Sequence, residues 1–293
     1  MQTIVVHAGL ANKIFQYAFY KALSLDGHNV AIDQNLFKPV WQFEDISLSD
    51  AFCNLHYEEE TSLNIAKLAI YRKDVIGKML RRILPYRFNN KLILERSFAY
   101  EEGVEKRFSK DCVIYGLWQS EKYFIRHKAQ ILDELRFKPL RDEKNLAFKH
   151  EVAKTNAVSI HIRKGKDYTH LDKICTLEYY KEAVSYIQQK IQLPVFYVFT
   201  DNKEWVEENF RHLDITYKIC DWNPVSGKES FRDMQLMSLC KHHIIANSSF
   251  SWWGAYLDAN PSKIVVAPKV WFGRDSGFFS NESDIIPSDW IKL

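Results

Sequence analysis

Residues 3–7 form an apolar run that reads as a short buried strand, and it passes into the small-residue turn Ala8-Gly9-Leu10-Ala11. From Asn12 onward Ile14, Phe15, Ala18, Ala22 and Leu25 recur at helical spacing, until Asp26-Gly27 stops the pattern. A second strand is predicted at 29–32, so the chain opens β-turn-α-β, the unit of an α/β domain. Between about residues 33 and 149 the pattern weakens to mostly helical segments with few clear strands. Within it Lys67, Arg72, Lys73, Lys78, Arg81, Arg82 and Arg87 interleave with Leu68, Ile70, Ile76, Leu80 and Leu84. That interleaving suits a solvated helix face, or a surface helix drawn to anionic lipid.

Regular alternation returns after Phe137-Lys138-Pro139 and the polar Asp142-Glu143-Lys144. Strands are predicted at 157–162, 195–200, 215–218, 243–246 and 264–267, with helices at 177–191, 203–210, 231–241 and 252–257. Pro194, Pro224 and Pro261 fall in the connections. This half reads as a parallel sheet flanked by helices, a Rossmann-like domain. The expected organisation is an N-terminal domain over 1–145 and a C-terminal domain over 146–293.

Composition narrows the classes. The chain has 293 residues, 46% hydrophobic and 26% charged, which is globular and excludes a disordered or collagenous protein. Lys and Arg number 40 against 37 Asp and Glu, and a net charge of +3 gives no support for nucleic-acid binding. Any anion site must come from local placement. Cys53, Cys112, Cys175, Cys220 and Cys240 form no C-x-x-C pair, so neither a disulfide framework nor a zinc site is expected. The start has no basic signal-like region, and no apolar run reaches the ~20 residues of a membrane span. A cytoplasmic protein is expected, with peripheral contact at the inner membrane if the basic segment meets lipid.

Ligands of parallel sheets bind beyond the carboxyl ends of the strands. Four loops occupy such places: Ala8 to Asn12, His161 to Asp167, Thr200-Asp201-Asn202 and Asn247 to Ser251. The first has the small residues that let a ligand approach backbone at a helix start, and equally those of a plain tight turn. His161 and Arg163 share one face of a strand end; Arg163 offers a planar fork for phosphate, or a structural ion pair. Ser248 and Ser249 start a short helix, where hydroxyls and backbone N–H groups can hold phosphate oxygens or simply cap. Ser230-Phe231-Arg232-Asp233 matches a capping box, which alone would account for Asp233. His242 and His243 read as core residues. There is no D-x-D, Walker loop, H-E-x-x-H or G-x-S-x-G motif.

Gly9-Leu10-Ala11-Asn12-Lys13-Ile14-Phe15-Gln16-Tyr17-Ala18 resembles the G-G-L-G-N-Q-x-F-Q-Y-A opening of the bacterial α-1,2-fucosyltransferases, glycosyltransferase family eleven. Ser159 to Gly165 resembles their H-x-R-x-G-D segment, and Asp233 to Leu239 with Ala246 to Ala255 is similar to their third motif block. Gly116 to Glu121 and Pro268 to Trp271 extend the similarity along essentially the whole chain. The resemblance implies an α/β, GT-B-like fold, two Rossmann-like domains facing a cleft with the N-terminal one less regular, and no metal or other cofactor. It also implies that Arg163 contacts the β-phosphate of GDP-fucose with His161 nearby, and that Asp233 contacts guanine. Ser248, Ser249 and Phe250 would border the diphosphate and fucose, and Gly9, Asn12 and Lys13 would approach from the N-terminal domain, which would hold the acceptor.

Three departures stand out. Gly165-Lys166-Asp167-Tyr168 has one residue more than the family's G-D-Y, Ala8 and Ala11 replace glycines, and Lys13 replaces glutamine and adds a charge. The resulting expectation is an inverting, metal-independent fucosyltransferase acting on a galactose hydroxyl, the 2-OH, in surface polysaccharide synthesis. His161, Asp167, Asp172 and Glu121 are candidates for a general base, Asp167 joining Arg163 and His161 as a catalytic candidate. Two alternatives stand beside it: a GT-B transferase using another GDP-sugar, and a carbohydrate-binding protein that has lost turnover.

Overall fold

The computed structural model describes residues 1–34, 46–60, 91–165, 173–273 and 281–293. The basic segment around Lys67 to Arg87 and the residues Lys166, Asp167, Tyr168 and Asp172 lie outside them. The chain divides into two compact units: Met1–Arg136 with Ser280–Ile285, and Phe137–Phe279 with Ile286–Leu293. The segment just after this division is tied to the second unit, where the Gln235 side-chain amide donates to the Lys138 carbonyl at 2.9 Å.

The first unit is built on β1 (Gln2–Val5), α1 (Leu10–Leu25), β2 (Val30–Asp33), α2 (Leu48–Ala51), β3 (Leu92–Leu94), β4 (Cys112–Tyr115) and α3 (Lys128–Glu134). Its sheet has the order β2-β1-β4-β3, with every pairing parallel. Buried Ile4, Val5, Ile32, Val113 and Ile114 fill the sheet, and Ile14, Phe15, Ala18 and Ala22 of α1 are buried with them. The predicted helix begins two residues early because Gly9, in extended conformation, takes the N-cap position. Strands β3 and β4, three and four residues long, are the ones too short to show a period of their own.

The second unit contains α4 (Glu143–Val152), β5 (Asn156–Ile162), α5 (Leu177–Lys190), β6 (Pro194–Thr200), α6 (Lys203–Phe210), β7 (Tyr217–Cys220), α7 (Arg232–Met237), β8 (His242–Ile244), α8 (Ser249–Tyr256), β9 (Val265–Ala267) and β10 (Ile291–Lys292). The order is β10-β9-β8-β5-β6-β7, again all parallel. Strands buried on both faces read as continuous apolar runs, which is why β5 and β6 stand out in the sequence. β7 lies two residues later than expected, because Ile215 is taken up in a turn through its N–H to the Leu213 carbonyl. Two units, each on a parallel sheet, agree with the α/β, GT-B-like class. Among the described residues no helix is long and apolar enough to cross a membrane.

Candidate functional site

From β5 the chain of the second unit steps outward through β6 to β7, returns to β8 on the other side of β5, and steps outward again through β9 and β10. The order therefore reverses between β5 and β8, and the crevice beyond their carboxyl ends is the expected ligand site of such a sheet. The loops leaving β5 and β8 are those that carry Arg163 and Ser248.

Arg163 follows β5 directly, and its Nη1 lies 3.0 Å from Oδ2 of Asp201, the first residue after β6. Asp201 Oδ1 accepts the Lys164 N–H at 2.7 Å, and the Asn202 side-chain amide donates to the Lys164 carbonyl at 3.2 Å. Asn202 Oδ1 in turn caps α6 by accepting the Trp205 N–H at 3.0 Å. The Lys164 ammonium lies over the Trp205 ring, 5.3 Å from its centroid. The guanidinium is thus set by a carboxylate that is itself fixed to the same loop, while a third of its surface stays open to solvent (32%).

His161, two residues earlier, is buried. Burial first, and then the Arg163 charge, push its pKa down to about 3, so its ring is neutral at working pH. Its Nδ1 has no hydrogen-bond partner among the described residues. The ring lies 5.7 Å from that of Phe250 in the first turn of α8, which brings the β5 and β8 loops side by side. Ser248 is the N-cap of α8, accepting the Phe250 N–H at 3.4 Å, and Ser251 Oγ donates to the Ser248 carbonyl at 3.2 Å. Asn247 fixes the loop from behind by donating to the Trp271 carbonyl at 3.0 Å. Ser248, Ser249 and Phe250 remain half-buried. An anion here would meet a guanidinium, hydroxyls and a helix N-terminus.

Asp233 is not a cap. The helix starts at Arg232 with Phe231 as N-cap and no side-chain capping bond, which sets the capping-box reading aside. Its carboxylate instead accepts the Asn223 side-chain amide at 2.8 Å, and desolvation pushes its pKa up to about 7. Asn223 lines a cavity of about 560 Å³ with Asp142, Asn145, Trp222, Pro224 and Arg232. A half-buried, desolvated carboxylate bonded to a residue of an aromatic-edged cavity suits a planar ring bearing N–H donors.

In the first unit the turn after β1 carries Ala8 at φ 66°, then Gly9, whose carbonyl accepts the N–H groups of Asn12 and Lys13 at 3.0 and 3.1 Å. A Cβ built on Gly9 would meet no atom of the described residues within 4 Å, so packing does not require glycine there. Asn12 Oδ1 accepts the Gln119 amide at 2.6 Å. The Lys13 ammonium donates to the Ile46 carbonyl at 2.5 Å, which ties down the charge that the sequence offers a ligand. Ala11 is buried, so of the two replaced glycines Ala8 is the one that strains the backbone.

The structure gathers His161, Arg163, Ser248, Ser249 and Phe250 at one rim, links Asp233 through Asn223 to a cavity in the same unit, and places Gly9, Asn12 and Lys13 on the first unit's turn. Asn223 is not among the residues the sequence points to; Asp201 is there only as part of the loop after a strand and Gln119 only within the similar segment 116–121, neither with a role of its own. Burial and the Arg163 charge make the His161 ring hard to protonate, which disfavours it as a general base in the ligand-free protein. A second constellation, Ser159 Oγ to His243 Nδ1 at 2.8 Å and His243 Nε2 to Asp258 at 3.1 Å, is buried in mid-sheet and serves the core, as expected for His243.

The family model of Glycosyl transferase family 11 matches residues 1–293. Among curated proteins the chain is similar to an alpha-1,2-colitosyltransferase of Escherichia coli, 29% identical over 97% of this chain and 96% of that protein. It is 38% identical to the O-antigen biosynthesis glycosyltransferase WbnK of Escherichia coli, over 47% of this chain and 45% of that protein. Galactoside alpha-(1,2)-fucosyltransferase 1 of Homo sapiens is 27% identical over 46% of this chain and 38% of its own.

Proposed function

We infer the function from the family: this chain belongs to glycosyl transferase family 11, and we propose that it moves L-fucose from GDP-β-L-fucose to the 2-OH of a galactose in an acceptor glycan. The observation that carries the proposal is Arg163, held by Asp201 at the reversal point of the second unit's sheet, beside the half-buried start of α8. A nucleoside diphosphate leaving group gains negative charge as its bond to the sugar breaks. Arg163 and the hydroxyl and N–H groups from Ser248 to Phe250 would receive that charge, which is stabilisation directed at the transition state. Asp233 would accept the guanine N–H groups, next to the cavity that its partner Asn223 lines with Trp222. Asn12 would add a side-chain amide donor from the first unit, which is proposed to hold the acceptor. In this scheme no metal ion takes part, and chelation with EDTA is expected to leave turnover unchanged.

Inversion needs the acceptor hydroxyl to attack from the face opposite the departing diphosphate, with its proton leaving to a base or to solvent. Glu121 remains among the described candidates for that base, and Asp167 and Asp172 lie outside the described residues.

A second reading concerns the donor. The colitosyltransferase similarity runs nearly end to end, so GDP-colitose, whose sugar is fucose without the 3-hydroxyl, is the competing donor. The test is formation of product from GDP-fucose and from GDP-colitose, each with lactose, N-acetyllactosamine and galactosyl-β-1,3-N-acetylgalactosamine. Higher kcat/KM with GDP-fucose supports the first reading, and preference for GDP-colitose replaces it by the second. GDP binding without turnover of either donor on any acceptor favours a binding protein.

A further inference from the structure

We propose that Glu95 is a positioning residue for Asn12, acting through the bend at residues 116–119 that delivers Gln119 to the Asn12 amide. This rests on the proposed contact between Asn12 and the donor.

The chain of contacts begins at the ends of β3 and β4. Glu95 N donates to the Tyr115 carbonyl at 3.0 Å, which extends the pairing one residue beyond β3 and sets the Glu95 side chain against the chain leaving β4. Its buried carboxylate then accepts two consecutive backbone N–H groups, Leu117 at 2.7 Å and Trp118 at 3.0 Å. Only an acceptor with two oxygens can serve both donors in this way; a glutamine would turn an NH2 group toward one of them. The approach is so close that a Cβ on Gly116 would stand 2.5 Å from the Glu95 Cβ, so glycine at 116 is a condition of the contact.

The bend it fixes is one the chain resists. Trp118 sits at φ 56°, a left-handed conformation that costs a bulky residue free energy, and it is held there by the carboxylate and by stacking on Phe19 at 4.5 Å. A second brace runs through Gln16, which is fully buried: its Oε1 accepts the His7 N–H at 2.9 Å and its Nε2 donates to the Gly116 carbonyl at 2.8 Å. The loops after the adjacent strands β1 and β4 are thereby locked together. Gln119, itself buried, then donates to Asn12 Oδ1, and this orients the Asn12 amide so that its own N–H groups face away from Gln119. An amide so turned donates to an anionic oxygen; with Gln119 displaced it could present its carbonyl instead. A carboxylate buried this deeply is costly to keep, its pKa being pushed up to about 7 by burial against the two N–H bonds, which argues against its being an incidental core residue.

The experiment is a double-mutant cycle on kcat and KM for the wild type, Glu95→Gln, Asn12→Ala and the double variant, with thermal unfolding of each. Loss of one charge-assisted contact predicts a drop of about tenfold in kcat/KM for Glu95→Gln in the wild-type background. In the Asn12→Ala background the same change should cost no more than about twofold, because the residue through which it acts is gone. The loss should fall mainly on kcat. Gln119→Ala cuts the same link without disturbing the carboxylate, and should match Asn12→Ala even if Glu95→Gln folds poorly. Equal losses from Glu95→Gln in both backgrounds overturn the positioning role while leaving Asn12 in place. Full activity of Asn12→Ala overturns the reading of Asn12 itself, and this proposal with it.

Discussion

Arg163 Nη1 stands 3.0 Å from Asp201 Oδ2, and the other oxygen of that carboxylate accepts the Lys164 amide at 2.7 Å. One side chain thus fixes both the guanidinium and the backbone beside it. An arginine placed in advance loses its rotamer freedom on folding and not at the moment of reaction, which makes its charge effective against a charge that develops late.

Arg163→Ala is expected to lower kcat by about a hundredfold or more, the usual effect of deleting one group aimed at developing charge. Arg163→Lys keeps the charge and loses the planar fork, so it should recover only part of the loss. Steady-state rates with unfolding curves alongside check this; a kcat loss that tracks a loss of folded protein would assign Arg163 to stability instead.

Asp201→Asn keeps an acceptor for the Lys164 amide and removes the charge paired with Arg163. The expected outcome is a drop of about tenfold in kcat with a smaller change in GDP affinity, since a mobile arginine still finds a bound phosphate but is no longer set for the transition state. Calorimetric GDP titration beside turnover separates the two quantities.

Asp233, with its pKa pushed up to about 7 by burial, is protonated in part of the free protein near neutrality. Accepting guanine N–H groups requires the carboxylate, so GDP binding should tighten from pH 6 to pH 8 and release a proton below about pH 7, seen as buffer-dependent heat in calorimetry. Asp233→Asn should lose both affinity and pH dependence. For stability the sign is opposite. A carboxyl whose pKa is raised by folding contributes stability fully below its unfolded value, and that contribution is lost as pH rises through the folded value. Relative to wild type, the asparagine variant without ligand should gain stability between pH 5 and pH 8 in urea titrations.

Ala8 and Gly9 should respond oppositely to a single methyl. Ala8→Gly relieves a left-handed alanine and should stabilise the protein by about 1 kcal/mol, the conformational strain less the added backbone entropy of glycine. Gly9→Ala adds a methyl where the described residues leave room, so stability should change by less than about 0.5 kcal/mol. If that room belongs to a ligand, donor KM rises in the same variant.

Much of the second unit was legible because its strands are buried on both faces and its helices alternate with them: β5, β6 and α6 emerge within a residue of their expected bounds. In the first unit β3 and β4 are three and four residues long, too short to show a period of their own, whereas β1 and β2, four residues each, are marked by the helical period of α1 between them. The site was legible where it follows a strong strand, as with His161 and Arg163, or starts a helix, as with Ser248. Asp201 was legible as part of the loop after a strand, but its pairing with Arg163 was not, because the two lie 38 residues apart on different strands' loops; Glu95 was hidden because its partners are backbone amides that no sequence pattern records. Asp233 shows the converse: a capping box in sequence is not one in space, since the helix starts too late to use it.

The most direct measurement is product formation from GDP-fucose and lactose by the wild type and by Arg163→Ala at matched folded concentration, with the new linkage read by NMR. The account predicts an α-1,2-fucosyl galactoside from the wild type and a rate about a hundredfold lower from the variant. A wild type that binds GDP yet forms no fucosylated product, or a folded Arg163→Ala protein that keeps most of the wild-type rate, would contradict it.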